Sequence, residues 1–306
     1  MEAIDQAHFN FSPTVGLAVS VMVGFLVFAV ALDLRWDQFH RVLRRPKAPL
    51  IGLVAQYVIL PSVAFGVARL IVDTPSIALG LLLVTCCPAG ALSNYLTGVA
   101  RGSVATSVSM TAISTLFSIA VTPFLFAFWA AMNPDTKALL QKIDIDPKRV
   151  IVMLLIMLVV PITIGMLIRA KRPETADKIR LWSRRLAGGV FAVVVAILIL
   201  GNVKVLGTFA KTALPPVLLT FAIAVALGWG LARVSGLVAA DRRAVTLEVA
   251  FQNVALAIGM AVVFFPALAG VAITSILWGV VHLTLGFALA AMWMRVPITE
   301  SSAQTS

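Results

Sequence analysis

VTLEVAFQNVALAIGMAVVFF, residues 245–265, is apolar enough to cross a bilayer, yet carries Glu248, Gln252 and Asn253 within its first nine residues. A carboxylate inside such a segment costs roughly 3 kcal/mol or more and therefore needs a local partner. Read as one continuous helix, Glu248 and Gln252 share a face and Asn253 sits beside them. No Lys or Arg lies between Arg243 and Arg295 to neutralise that oxygen-rich patch. The missing partner could be a proton, a residue from another helix, or a small cation. The plainer account is a protonated Glu held by helix–helix hydrogen bonds. Three polar groups gathered in one apolar span favour an ion or proton site over it.

Composition sets the class. Of 306 residues, 60% are hydrophobic and 12% charged, and the mean hydropathy is +1.02. Soluble domains run near 25% charged, so the chain reads as an all-α polytopic membrane protein with small connecting loops. The net charge of +11 is better explained by basic loops on one side of a membrane than by nucleic acid, and no nucleic-acid partner is expected. Cys86 and Cys87 are adjacent and intramembrane, which suits neither a structural disulfide nor a metal cluster. Residues 1–13 lack the basic start of a signal peptide and read as an external segment ahead of a retained first helix.

About nine spans follow, near residues 14–32, 49–71, 77–97, 102–131, 149–168, 186–206, 214–235, 244–265 and 271–294. Each can cross a hydrocarbon core of about 30 Å at about 1.5 Å per residue. Basic stretches at 35–47 and 171–185 and a polar loop at 133–147 read as connections. With the amino terminus outside, inner loops hold 17 Lys and Arg against 7 in outer loops, Arg242 and Arg243 counting among the inner ones. That bias places the carboxyl terminus, with a tail at 296–306, in the cytoplasm. The expected location is the plasma membrane, or the inner membrane of a bacterium.

Residues 65–70 (FGVARL) resemble 229–234 (WGLARV), and Ala91-Leu92-Ser93-Asn94 resembles Ala250-Phe251-Gln252-Asn253. The related spans cross in opposite directions, as in transporters built from inverted repeats around a midplane site. The third span adds Pro88 and Gly90 mid-membrane just before Ser93 and Asn94. Proline frees backbone carbonyls, and unwound backbone at that depth must be covered by protein or line a cavity. Ser107 and Thr111, four apart, add hydroxyls on the fourth span. Taken singly, such hydroxyls usually back-bond within their own helix. With Asn94 and Glu248 they make a hard-cation set of neutral oxygens and one carboxylate, which suits a monovalent ion.

Four ordered motifs carry a resemblance over roughly residues 14–295. These are Gln56-Tyr57-Val58-Ile59-Leu60-Pro61, Cys87-Pro88-Ala89-Gly90-Ala91-Leu92-Ser93-Asn94, Pro161-Ile162-Thr163-Ile164-Gly165 with Lys171-Arg172-Pro173, and Glu248-Val249-Ala250-Phe251-Gln252-Asn253. Together they resemble the bile acid:sodium symporter family. The resemblance implies a panel domain, about 14–34 and 149–206, and a core domain, about 49–131 and 214–294. Two broken helices would cross in the core. It implies two Na+ sites: one of Ser93, Asn94, Ser107, Thr111 and Glu248, the other of Gln56, Glu248, Gln252 and the carbonyls of Val249 and Phe251. Pro88, Ala89, Asn94, Asn253 and His282 are the substrate-side candidates it implies. Ala89 departs from the family's usual Pro-Gly-Gly. The eighth span has no Pro or Gly at the centre of its motif, so a break there rests on the resemblance.

The implied activity is sodium-coupled import of an organic anion, such as a bile acid, a sulfated steroid or a small carboxylate, by alternating access in the lipid bilayer. A proton-coupled carrier or antiporter with Glu248 as proton site is the alternative. An intramembrane enzyme using Cys86 or Cys87 with His282 lacks a paired acid–base motif and is not expected.

Overall fold

The computed structural model describes residues 13–142, 147–296 and 298. All of the expected external segment but Pro13, and most of the cytoplasmic tail, lie outside them. Apart from one isolated β-bridge, the described residues form helices and their connections. In chain order these are α1 (Pro13–Ala31), α2 (Trp36–Arg44), α3 (Lys47–Val54), a π turn at Ala55–Ile59, α4 (Leu60–Leu70), α5 (Pro75–Thr85) and α6 (Ala91–Val99). There follow α7 (Val104–Met132), α8 (Pro134–Lys142), α9 (Pro147–Lys171), α10 (Pro173–Gly201), α11 (Val203–Val234), α12 (Ala239–Ala250), α13 (Val254–Phe264) and α14 (Ala269–Met294). Among the described residues, four helices are long and apolar enough to cross a membrane: Lys47–Leu70 taken through its π turn, Val104–Met132, Val203–Val234 and Ala269–Met294. The fold is that of an all-α polytopic membrane protein.

Three connections differ from the sequence reading. The basic stretch after α1 contains the helix α2, the loop at 133–147 contains α8, and the loop at 171–185 is mostly the first turns of α10. Hydropathy finds only the part of a helix that must be apolar. Lys and Arg are good helix formers, so the backbone stays helical beyond the hydrocarbon. Leu139 of α8 is buried with the core.

The π turn follows from Pro61. Proline has no N–H, so it cannot bond the carbonyl four residues back, and the ladder widens just upstream. Gln56 sits in that widened turn and is 1% exposed. Tyr57 beside it donates to Ser114 O of α7 at 2.6 Å.

α1 packs on α9 and α10, while α12 is enclosed by α3, α6, α7 and α11. α11 approaches α12 closely at Gly228, where a Cβ would stand 2.8 Å from the Thr246 Cα. Only glycine fits there. Arg243, expected in a loop, lies within α12 and is 5% exposed. Its Nη1 donates to Ala100 O at 2.6 Å and to Trp293 O at 3.1 Å, and its Nη2 donates to Val296 O at 2.8 Å. These carbonyls stand at the ends of α6 and α14. Helix C-termini carry partial negative charge, so the guanidinium is neutralised there without a carboxylate.

Candidate functional site

The third and eighth expected spans are each broken. α5 stops at Thr85 and α6 begins at Ala91, while α12 stops at Ala250 and α13 begins at Val254. The extended pieces between them cross as a short antiparallel bridge between Ala89 and Gln252. Asn253 N donates to Pro88 O at 2.7 Å and Gly90 N donates to Phe251 O at 3.3 Å. These bonds satisfy backbone groups that the broken helices leave open, which an apolar interior requires. Two helix C-termini and two N-termini therefore meet near one point.

Because α12 ends at Ala250, Glu248 and Gln252 do not share a continuous helix face. Gln252 lies in the crossing strand, and its Nε2 turns back to donate to Val249 O at 2.8 Å. The proposed pairing of Asn94 with Asn253 also shifts. Asn253 caps α13, accepting from Leu256 N at 3.0 Å, and the residue in the same place before α6 is Gly90.

The expected oxygen cluster forms around Glu248, which is fully buried. Its Oε1 accepts from Ser107 Oγ at 2.7 Å and from Thr111 Oγ1 at 2.5 Å. Both hydroxyls also lie within reach of Asn94 Oδ1, at 2.8 and 3.1 Å. Thr97, which the sequence reading left out, donates to Ser107 Oγ at 3.2 Å. The fully buried Ser93 gives its hydroxyl to Gly90 O at 2.7 Å. α6, α7 and α12 thus bring Asn94, Ser107, Thr111 and Glu248 together from three separate helices.

The atoms without partners are as informative. Glu248 Oε2, Gln252 Oε1 and both polar atoms of the Gln56 side chain are buried with no hydrogen-bond partner. Leaving a buried polar group unmade costs about 1–3 kcal/mol, more for a charge. Three orphaned oxygens fall on three residues of one expected ion site, and the π turn that carries Gln56 packs on α12. Val249 O and Phe251 O each accept one hydrogen bond already, and a carbonyl oxygen has a second lone pair. The donor set is therefore neutral oxygen plus one carboxylate. It fits a hard monovalent cation.

Across the crossover lies a cavity of ≈ 270 Å³ whose lining includes Gly90, Gln252, Asn253, Ile258, Val195 of α10 and His282 of α14. His282 is 6% exposed, stacks on Phe251 with centroids 4.9 Å apart, and its Nδ1 has no hydrogen-bond partner. Pro88, Ala89 and Asn94, expected on the substrate side, lie outside this lining. Asn94 is turned instead to the oxygen cluster. The two cysteines are free and buried.

Sequence comparison finds relatives along most of the chain. Over 278 residues the chain is 30% identical to an uncharacterized sodium-dependent transporter, YocS, of Bacillus subtilis (strain 168), covering 90% of this chain and 83% of the relative. It is 30% identical over 281 residues to the human hepatic sodium/bile acid cotransporter, covering 85% and 77%. A chloroplastic protein of Oryza sativa subsp. japonica, named as a probable sodium/metabolite cotransporter, BASS2, is 30% identical over 238 residues; these cover 78% of this chain and 54% of that protein. Residues 20–209 match the Sodium Bile acid symporter family, a family of transporters and not of enzymes. With its broken helices crossing beside a buried, incompletely paired carboxylate, the chain belongs to the sodium bile acid symporter family and is a sodium-coupled membrane transporter.

Proposed function

We propose that the protein imports an organic anion with sodium, using two ion sites that share Glu248. The observation that carries this is the set of buried oxygens without partners on Gln56, Glu248 and Gln252. The first site comprises Ser93, Asn94, Ser107, Thr111 and Glu248. The second adds Gln56, Gln252 and the carbonyls of Val249 and Phe251. Sodium supplies the charge that those oxygens lack, and so holds α6, α7 and α12 to the crossing strands. The N-termini of α6 and α13 then present partial positive charge toward an anion. His282 Nδ1 and Asn253 offer polar groups in an otherwise apolar cavity. Its ≈ 270 Å³ is just below the about 300–1,000 Å³ of ligand pockets, which favours a small carboxylate over a steroid.

In this reading α1, α9 and α10 form the panel and the remaining long helices the core, and the two move against each other to alternate access. Thermal-shift screening of the purified protein across small carboxylates, bile acids and sulfated steroids, with and without sodium, tests it by mass action. A carboxylate that stabilises only in sodium is the expected result. Anions that stabilise equally in potassium would remove the coupling.

The nine-span topology, with the amino terminus outside, is proposed from the charge bias. A cysteine introduced in residues 1–10 should react with an impermeant reagent from outside, and one in residues 171–180 only after permeabilisation. The reverse labelling would overturn that orientation.

A further inference from the structure

On the strongly basic side of the bundle, away from the crossover, lies a cavity of ≈ 680 Å³. The turn from α2 to α3 forms one wall, with Arg41, Arg44, Arg45 and Lys47. The start of α7 and the connection from α11 to α12 form the others. Among the described residues none of the four cations is in an ion pair, and all four are exposed. The cavity's single carboxylate, Asp241, accepts from Thr106 Oγ1 at 2.6 Å. Four cations against one engaged carboxylate exclude a cation as the natural occupant.

Backbone charge acts in the same direction. Pro46, Ser103 and Val238, the N-cap residues of α3, α7 and α12, all line this cavity. Three helix N-termini therefore open on it, against the C-terminal ends of α2 at Arg45 and of α11 at Gly236, so the backbone adds a smaller positive contribution to that of the four cations. Such convergence matches a phosphate group.

The surroundings distinguish a lipid from a free anion. Leu50, Val54 and Val58, spaced four apart along α3 and the π turn, are 54%, 49% and 58% exposed. They make an apolar track that starts at the cavity rim beside Pro49. Leu43 on α2, 78% exposed, adds apolar surface on a short helix that also carries Arg41 and Arg44. A basic helix with an apolar side belongs at the headgroup level of a bilayer. We propose that this cavity binds the phosphate headgroup of an anionic phospholipid, with an acyl chain along Leu50, Val54 and Val58. The occupied site ties the α2–α3 turn to the starts of α7 and α12, the two helices that carry Ser107, Thr111 and Glu248.

The test is a titration of the detergent-purified full chain, in potassium buffer, with phosphatidylglycerol, phosphatidylcholine or potassium phosphate, read by thermal shift. Phosphatidylglycerol is expected to raise the melting temperature saturably, and phosphatidylcholine and phosphate much less. A basic residue at an anionic surface contributes about fivefold in binding. The triple variant Arg44→Gln, Arg45→Gln, Lys47→Gln should thus move the phosphatidylglycerol midpoint by on the order of a hundredfold. Lys171→Gln with Arg172→Gln, exposed on the same basic side, should not move it. A triple variant that titrates like the wild type, or phosphatidylcholine as effective as phosphatidylglycerol, would overturn the site. Inorganic phosphate as effective as the lipid would overturn the lipid assignment. If the triple variant cannot be purified, Arg45→Gln alone decides: a severalfold weaker midpoint supports the site, and an unchanged one overturns it.

Discussion

Glu248→Gln is expected to insert and fold normally, yet to lose sodium-driven accumulation and sodium-dependent stabilisation. The substitution keeps size and hydrogen bonding and removes the only side-chain negative charge in the proposed ion sites. At about 4 Å and an effective dielectric near 20, that charge attracts a cation by about 4 kcal/mol, so sodium affinity should fall at least about a hundredfold. Ser107→Ala should cost less, because water can replace one neutral oxygen. Gln56→Ala should fall between, weakening sodium activation while leaving uptake measurable. The proton-coupled alternative predicts otherwise, since a neutral amide imitates the protonated carboxyl and substrate exchange would persist without pH coupling. Sodium-induced thermal shift and substrate counterflow, measured on one preparation of Glu248→Gln, separate the two. A wild-type sodium response would end the sodium assignment.

The second large effect concerns stability. Arg243→Ala deletes three hydrogen bonds from a buried guanidinium to the ends of α6 and α14. Bonds to charged groups are worth about 1.5–3 kcal/mol each, and the exposed carbonyls recover part of that from water. A net loss of about 3 kcal/mol is expected, or a fall of about 5 °C in melting temperature. Arg243→Lys should recover part of it, because one ammonium cannot span carbonyls on two separate helix ends. Scanning calorimetry in detergent checks this, and a melting temperature within about 2 °C of wild type for Arg243→Ala would show that the clamp contributes little.

Which parts of this were legible in the sequence follows from what hydropathy can register. Glu248, Asn94, Ser107 and Thr111 stood out because polar groups are costly in apolar spans, and the structure does bring them together. The break at Cys86–Gly90 was announced by Pro88. The break at Phe251–Asn253 has no such marker, being stabilised by backbone bonds to a segment more than 160 residues distant in sequence. For the same reason the even spacing of Glu248 and Gln252 suggested a helix face that does not exist. Arg243 looked like an ordinary loop cation, because its partners are main-chain carbonyls with no sequence signature. α2 and α8 escaped notice since a polar helix and a polar loop share composition. Thr97 was passed over as one more hydroxyl among many.

The fastening between the two broken helices has a bearing on how this chain tolerates change. It is made by main-chain atoms of Pro88, Gly90, Phe251 and Asn253, so the identities of the side chains there are largely free of it. Ala89 suits that fastening: the bridging residue needs only an extended backbone, which alanine adopts readily. The side chain at 89 can therefore change while the knot beneath it stays tied, whereas Gln252 is held by its part in the proposed ion site. The vulnerable points are the donors. Proline at 90 or 253 would delete an N–H and with it one bond of the fastening.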